Sequence, residues 1–192
     1  MKLLFASILI ASAFAFSLFA QGSCARHVEA AGGFSVCVPE GWKIADNPAS
    51  KFKVLKAPVT NLGANIVFAE ETSPIVLPLA KYADLSIENT IAIYNRNGTE
   101  VKLLGRSDFM TDEKIKAIKL KYSVEIEGLP IVTVQYVFDV PKKKLVLTAS
   151  SLEPNADKNE ELFDATAKGF QLIKKPAPPR PKPVVRVRKR GR

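Results

Sequence analysis

At 192 residues and 47% hydrophobic composition, the chain has material for one packed core of ordinary size, which excludes disorder throughout. The formal charge of +9 sits at one end: positions 174–192 hold nine basic residues and no acidic one, while the stretch between the apolar leader and that tail balances eighteen basic against nineteen acidic residues. The net charge therefore does not mark the folded body as a nucleic-acid binder.

Lys2 precedes a run from Leu3 to Ala20 that contains no charge, and Ala20-Gln21-Gly22 closes it with small residues at the positions a signal peptidase reads. Residues 1–22 are thus predicted to be an export signal, with cleavage after Gly22 or Ala20. An uncleaved anchor is the rival, because the run is near the lower length limit for spanning a bilayer. Cys24 and Cys37 are the only cysteines. In an oxidising compartment an even count favours a disulfide, which would close a short loop and stabilise the domain by about 3 kcal/mol. Cys24 also follows Gly22-Ser23 directly after the apolar run, so a lipidated N-terminal cysteine is the second reading, although Gln21 stands where bacterial lipoproteins usually carry an aliphatic residue.

Residues 23–173 read as one domain. Phe34-Ser35-Val36-Cys37-Val38 alternates as a half-buried strand, with Cys37 pointing away from Phe34, Val36 and Val38, toward a side that an N-terminal segment could cross. Pro39-Glu40-Gly41 ends it and Trp42 follows. Lys51 to Ala57 and Ala64 to Ala69 are predicted to form an antiparallel hairpin, joined by a loop containing Pro58, Asn61 and Gly63. From Pro78 to Tyr94, the apolar residues Leu79, Ala83, Ile87, Ile91 and Tyr94 recur along one stripe of a helix, stopped by Asn95-Arg96-Asn97-Gly98.

A strand around Glu100 to Gly105 precedes the clearest alternation in the chain. There Ile118, Leu120, Tyr122, Val124 and Ile126 interleave with Lys119, Lys121, Ser123, Glu125 and Glu127, predicting one core face and one wet face. Turns at Glu127-Gly128-Leu129-Pro130 and at Pro141 to Lys143 make Ile131 to Val140 and Lys144 to Leu152 the other strands of a meander. The last element is a helix with Asp157 as N-cap, an apolar side of Leu162, Phe163, Ala167 and Phe170, and Gly169 at its C-cap. Strands, helix, strands, helix predicts an α+β fold: an antiparallel sheet with helices packed on its faces.

The passage Phe34-Ser35-Val36-Cys37-Val38-Pro39-Glu40-Gly41-Trp42, the long central helix, the meander and the closing helix ending near Gly169-Phe170 together resemble the PsbP-like superfamily over about residues 30–173. The resemblance implies an α/β/α sandwich that acts by docking onto other proteins rather than by catalysis. It assigns no partner, metal or docking residue, and the basic tail is not part of the family pattern.

Residues that carry chemistry are sparse. His27 is the sole histidine, so serine or cysteine nucleophiles have one potential base and zinc one potential imidazole, and a surface histidine is the simpler reading. Asp108, Asp112 and Glu113 around a predicted turn suit a hard cation, but no glycine supplies the sharp turn of a calcium loop, which favours a solvated acidic loop. Glu125 and Glu127 share a strand face with Lys119 and Lys121, where cross-strand charge pairing is expected. Trp42, Tyr82, Tyr94, Tyr122 and Tyr136 are read as core packing rather than a ligand pocket. No cofactor is expected.

The tail divides in two. Pro176, Pro178, Pro179, Pro181 and Pro183 favour an extended spacer, and beyond it Arg186, Arg188, Lys189, Arg190 and Arg192 concentrate charge suited to an anionic surface. Export and the lack of aromatic residues in the tail argue against nucleic acid, leaving acidic lipid or a cell-envelope polymer as its partner. A merely solubilising tail is the plain alternative. The expected function is an exported, non-catalytic binding or assembly module of the cell envelope, periplasmic or envelope-associated, that docks a protein partner or small ligand. An envelope lipoprotein with a structural role and a carboxylate-dependent hydrolase using Glu125 or Asp108 are the alternatives.

Overall fold

A computed structural model describes residues 24–61, 63–71 and 77–173. In chain order these form strands β1 (Ala25–Glu29), β2 (Phe34–Val38), β3 (Lys43–Ala45), β4 (Val54–Lys56) and β5 (Asn65–Glu71), then helix α1 (Leu79–Arg96). Strands β6 (Val101–Met110), β7 (Lys116–Ile126), β8 (Leu129–Val140) and β9 (Lys143–Leu152) follow, and helix α2 (Ala156–Lys168) and strand β10 (Gln171–Leu172) close the domain.

The main sheet runs β3-β4-β5-β9-β8-β7-β6 with antiparallel neighbours, and a small sheet runs β1-β2-β10. The meander β7-β8-β9 is held in register by two tight turns. Glu127 and Gly128 both adopt positive φ, as a two-residue hairpin that matches strand twist requires. Pro141 followed by Lys142 at φ 68 gives the second turn, proline fixing the first corner.

Alternation sends the strands' apolar side chains to both faces, and a helix covers each. On one face Ala83 and Ile87 of α1 pack on Ile118, Leu120, Tyr122 and Val124, and Tyr82 meets Val137 and Val146. On the other, α2, the small sheet and Phe170 in the link between them contribute Phe34, Val36, Phe163, Ala167 and Phe170 against Val134, Tyr136, Phe138, Leu145 and Leu147. Phe170 stacks on Phe138 at 4.1 Å between ring centroids and on Phe34 at 5.4 Å, joining the small sheet to the large one. The result is the predicted α/β/α layering.

Several local expectations are corrected. The N-terminal segment is itself a strand, β1, laid antiparallel on β2. The expected strand Lys51 to Ala57 shrinks to Val54–Lys56, and the short β3 and β10 were not anticipated. Strand β6 extends to Met110, which puts Asp108 in a strand rather than a turn. Helix α2 begins two residues earlier than expected, with Asn155 at the N-cap and Asp157 inside the first turn. The face of β7 expected to be wet is partly covered by α2, whose carboxylates reach Lys119 and Lys121. Tyr122 and Tyr136 are both buried, but in cores on opposite faces of the sheet.

Candidate functional site

Cys37 sits on β2 between Val36 and Val38, whose side chains are buried, and its own side chain turns to the opposite side of the strand, where it is half-buried against Gly169. Pairing of β1 on β2 sets Arg26 opposite Cys37 and brings Cys24, one residue before β1, to a Cα–Cα distance of 5.5 Å from Cys37, where the two are bonded. One sulfur cannot carry both this bond and a lipid thioether, so the bridge and lipidation at Cys24 exclude each other. Arg26 lies along the bridge. Its guanidinium donates to Ser35 Oγ at 3.1 Å and to the Gly169 carbonyl at 3.0 Å, and stands 3.8 Å from Cys37 Sγ. A groove of about 400 Å³ opens beside the sulfurs, lined by Ala25, Pro39, Glu40, Leu162, Ala165 and Thr166.

Gly169 follows α2 with φ −73, an ordinary right-handed value, so its glycine is not needed for a left-handed cap. The requirement is space: a Cβ there would fall 2.6 Å from Cys37 Sγ.

The densest set of ionisable groups lies between β7 and α2. Lys119 Nζ is 2.6 Å from Glu160 and 2.7 Å from Asp164, and Lys121 Nζ is 2.7 Å from Glu160 and 3.5 Å from Asp157. Tyr136 donates its hydroxyl to Asp164 at 2.5 Å, with Lys119 5.8 Å from its ring centroid and Phe109 edge-on to it. Burial pushes the Glu160 carboxyl up, but hydrogen bonds from Lys119 and Lys121 more than offset this and hold it below the usual carboxylate range. The hydrogen bond to Glu160 keeps Lys121 above the ordinary lysine value, and burial followed by the bond to Asp164 raises the Tyr136 phenol. These shifts hold Glu160 and Lys121 charged and Tyr136 un-ionised, each further from titrating near pH 7. General acid–base chemistry needs the opposite, a group whose pKa lies near the working pH.

The remaining sequence candidates are dispersed. His27 Nε2 is 3.4 Å from Glu29, which is buried and accepts the Lys53 backbone N–H, so this pair fixes the start of the domain. Asp108 is exposed on β6, while Asp112 is tied by its backbone to the Lys168 carbonyl. Among the described residues no three His, Cys, Asp or Glu side chains are placed to hold a metal. Glu125 shares a face with Lys119 and Lys121, but those lysines pair with α2 rather than across strands, which corrects the expected cross-strand pairing. Trp42, Tyr82, Tyr122 and Tyr136 are buried. The tail residues Arg186, Arg188, Lys189, Arg190 and Arg192, and the leader, lie outside the described residues. No helix among the described residues is long and apolar enough to cross a membrane.

Sequence reasoning missed Arg26 and the acidic stripe of α2. A signal for the stripe was present: Asp157, Glu160 and Asp164 recur at helical spacing and so share one face. No comparable signal links Arg26 to Gly169, 143 positions away.

Neither a family model nor a curated protein matches the sequence. Solved structures match the fold. Cyanobacterial PsbP (CyanoP) from Synechocystis aligns with a TM-score of 0.61 at 16% identity, over 77% of this chain and 91% of that one. LpqN, involved in cell envelope biogenesis of Mycobacterium tuberculosis, gives 0.56 at 13% identity over 80% and 87% of the two chains. The Ran-binding protein Mog1p of Saccharomyces cerevisiae gives 0.56 at 12% identity over 78% and 95%. At these identities the likeness is one of fold.

Proposed function

Because the chain carries the PsbP-like fold, we propose that it is an exported, non-catalytic binding or assembly module of the cell envelope, with a basic tail that associates with anionic surfaces. The observation that carries this reading is the partition of charge. Lysines and carboxylates of the domain neutralise one another in pairs such as Lys119–Asp164, Lys121–Glu160 and Lys143–Glu70, whereas the nine basic residues of 174–192 have no acidic neighbour in sequence. The domain therefore offers no strong field to a polyanion and the tail does. Near an anionic bilayer each such charge contributes about 1 kcal/mol.

Two further features support export to an envelope. The Cys24–Cys37 bond suits an oxidising compartment, and it lies immediately behind the apolar run read as a signal. LpqN, which shares the fold, is named for cell envelope biogenesis. The tail leaves the domain from the small sheet, where the Ile173 N–H donates to the Gly33 carbonyl at 2.9 Å. A partner protein docked on the domain would thus be held near the surface that binds the tail. No cofactor enters this function, and nucleic acid is not its partner.

Co-sedimentation with vesicles rich in phosphatidylglycerol, with and without residues 174–192, tests the proposal. The intact chain is expected to pellet at low salt and to be released at high salt, and the truncated chain to stay in the supernatant. Equal, salt-insensitive pelleting of both would overturn it. Intact mass of the exported chain separates this reading from the lipoprotein alternative, since a bridged Cys24 lacks the mass of a diacylglyceryl group.

A further inference from the structure

We propose that the Cys24–Cys37 bond is a thiol–disulfide exchange site, in which the thiolate of an extracytoplasmic dithiol oxidoreductase attacks Cys24 and Cys37 is the leaving group. Four features at the bridge point the same way. Cys24 is exposed whereas Cys37 is only partly so. The backbone of Gly169 crowds Cys37 Sγ so closely that no β-carbon fits there, which leaves Cys24 as the accessible sulfur. The groove of about 400 Å³ beside the sulfurs, walled by Ala25, Pro39, Leu162 and Ala165, has room for an extended peptide segment carrying the attacking thiol.

The fourth feature is Arg26. Its guanidinium is held by Ser35 Oγ and the Gly169 carbonyl, and that anchoring keeps it 3.8 Å from Cys37 Sγ. The C-terminal end of α2 lies beside the same sulfur, and the negative end of a helix dipole disfavours a thiolate. Arg26 neutralises that end by donating to Gly169 and supplies positive charge to the sulfur, so it acts as a positioning residue for the leaving thiolate.

In the exchange, the incoming thiolate sulfur bonds to Cys24 Sγ as the Sγ–Sγ bond breaks, and the electron pair of that bond departs on Cys37 Sγ. The second thiol of the oxidoreductase, once deprotonated, attacks its own sulfur in the mixed disulfide and frees Cys24. The oxidoreductase ends as a disulfide, and Cys24 and Cys37 end as thiols with the two protons it gave up. A leaving thiol of lower pKa departs faster, which is the effect Arg26 supplies.

The test uses the intact oxidised protein and glutathione as the attacking thiol. After brief exposure and alkylation with iodoacetamide, tryptic cleavage at Arg26 places the two cysteines in different peptides. Glutathione is expected on Cys24 and the alkyl group on Cys37, by a ratio of about tenfold or more. Glutathione chiefly on Cys37 would overturn the proposal. Arg26→Gln is expected to slow reduction about three- to tenfold while Arg26→Lys stays near the native rate. A merely structural Arg26 predicts the reverse, because a frayed β1 exposes the bridge and speeds reduction; an unchanged or faster rate in Arg26→Gln therefore also refutes it.

Discussion

Replacing Gly169 with alanine isolates the contact between α2 and the bridge. Its φ of −73 is open to any residue, and removing a glycine next to a helix should by itself be neutral or stabilising, by up to about 1 kcal/mol. The new Cβ, however, would stand 2.6 Å from Cys37 Sγ and 3.1 Å from Cys37 Cβ. Relief requires the sulfur to retreat by about 0.8 Å to reach the 3.4 Å of an ordinary contact, and that sulfur is tied to Cys24 rather than free to rotate. Forced overpacking of this kind costs about 1–3 kcal/mol, so Gly169→Ala is expected to destabilise the native protein by about 1–2 kcal/mol net. In a Cys24→Ala/Cys37→Ala background the sulfur is gone, and the same substitution should cost at least about 1 kcal/mol less. Urea denaturation of the four proteins measures this, with shifts in midpoint at constant slope read as stability. Equal losses in both backgrounds would refute the argument that sulfur contact, rather than backbone conformation, demands the glycine.

Glu160 should govern part of the acid response. Its folded-state carboxyl is held low, so its contribution is present above the ordinary value of about 4.3 and is lost as pH falls through the lower folded value. Glu160→Gln is expected to cost about 1–3 kcal/mol at neutral pH and to flatten the acid limb of the stability curve; an unchanged limb counts against the network. Tyr82, Tyr122 and Tyr136 are raised chiefly by burial, Tyr122 to about 12. Their stabilising contribution is complete below about pH 10 and is lost as pH rises through the folded values. Absorbance titration at alkaline pH should show these three phenols ionising late and together with unfolding, and their release near pH 10 in the folded protein would contradict their placement.

The helix Leu79–Arg96 and the meander were legible because periodicity is a local property. Spacing of Leu79, Ala83, Ile87 and Ile91 commits those residues to one helix face whatever lies opposite, and the alternation from Ile118 to Val124 does the same for a strand. Short strands such as Lys43–Ala45 and Gln171–Leu172 carry too few residues to show a period, and they form because a neighbouring strand offers its edge. Gly169 shows how a correct location can rest on a different cause: the helix does end there, but the bridge rather than a left-handed turn excludes a side chain.

The segregation of charge into 174–192, the pairing potential of two cysteines, and the alternation that makes one sheet carry two apolar faces are all written in the order of residues. Which groups meet is set by the packed domain: Lys119 with Asp164 across 45 positions, Arg26 with Gly169 across 143. The reason is that a single charged side chain has no period. Its partner is selected by where the hydrophobic layers place distant elements, and that placement is settled by packing of the whole domain.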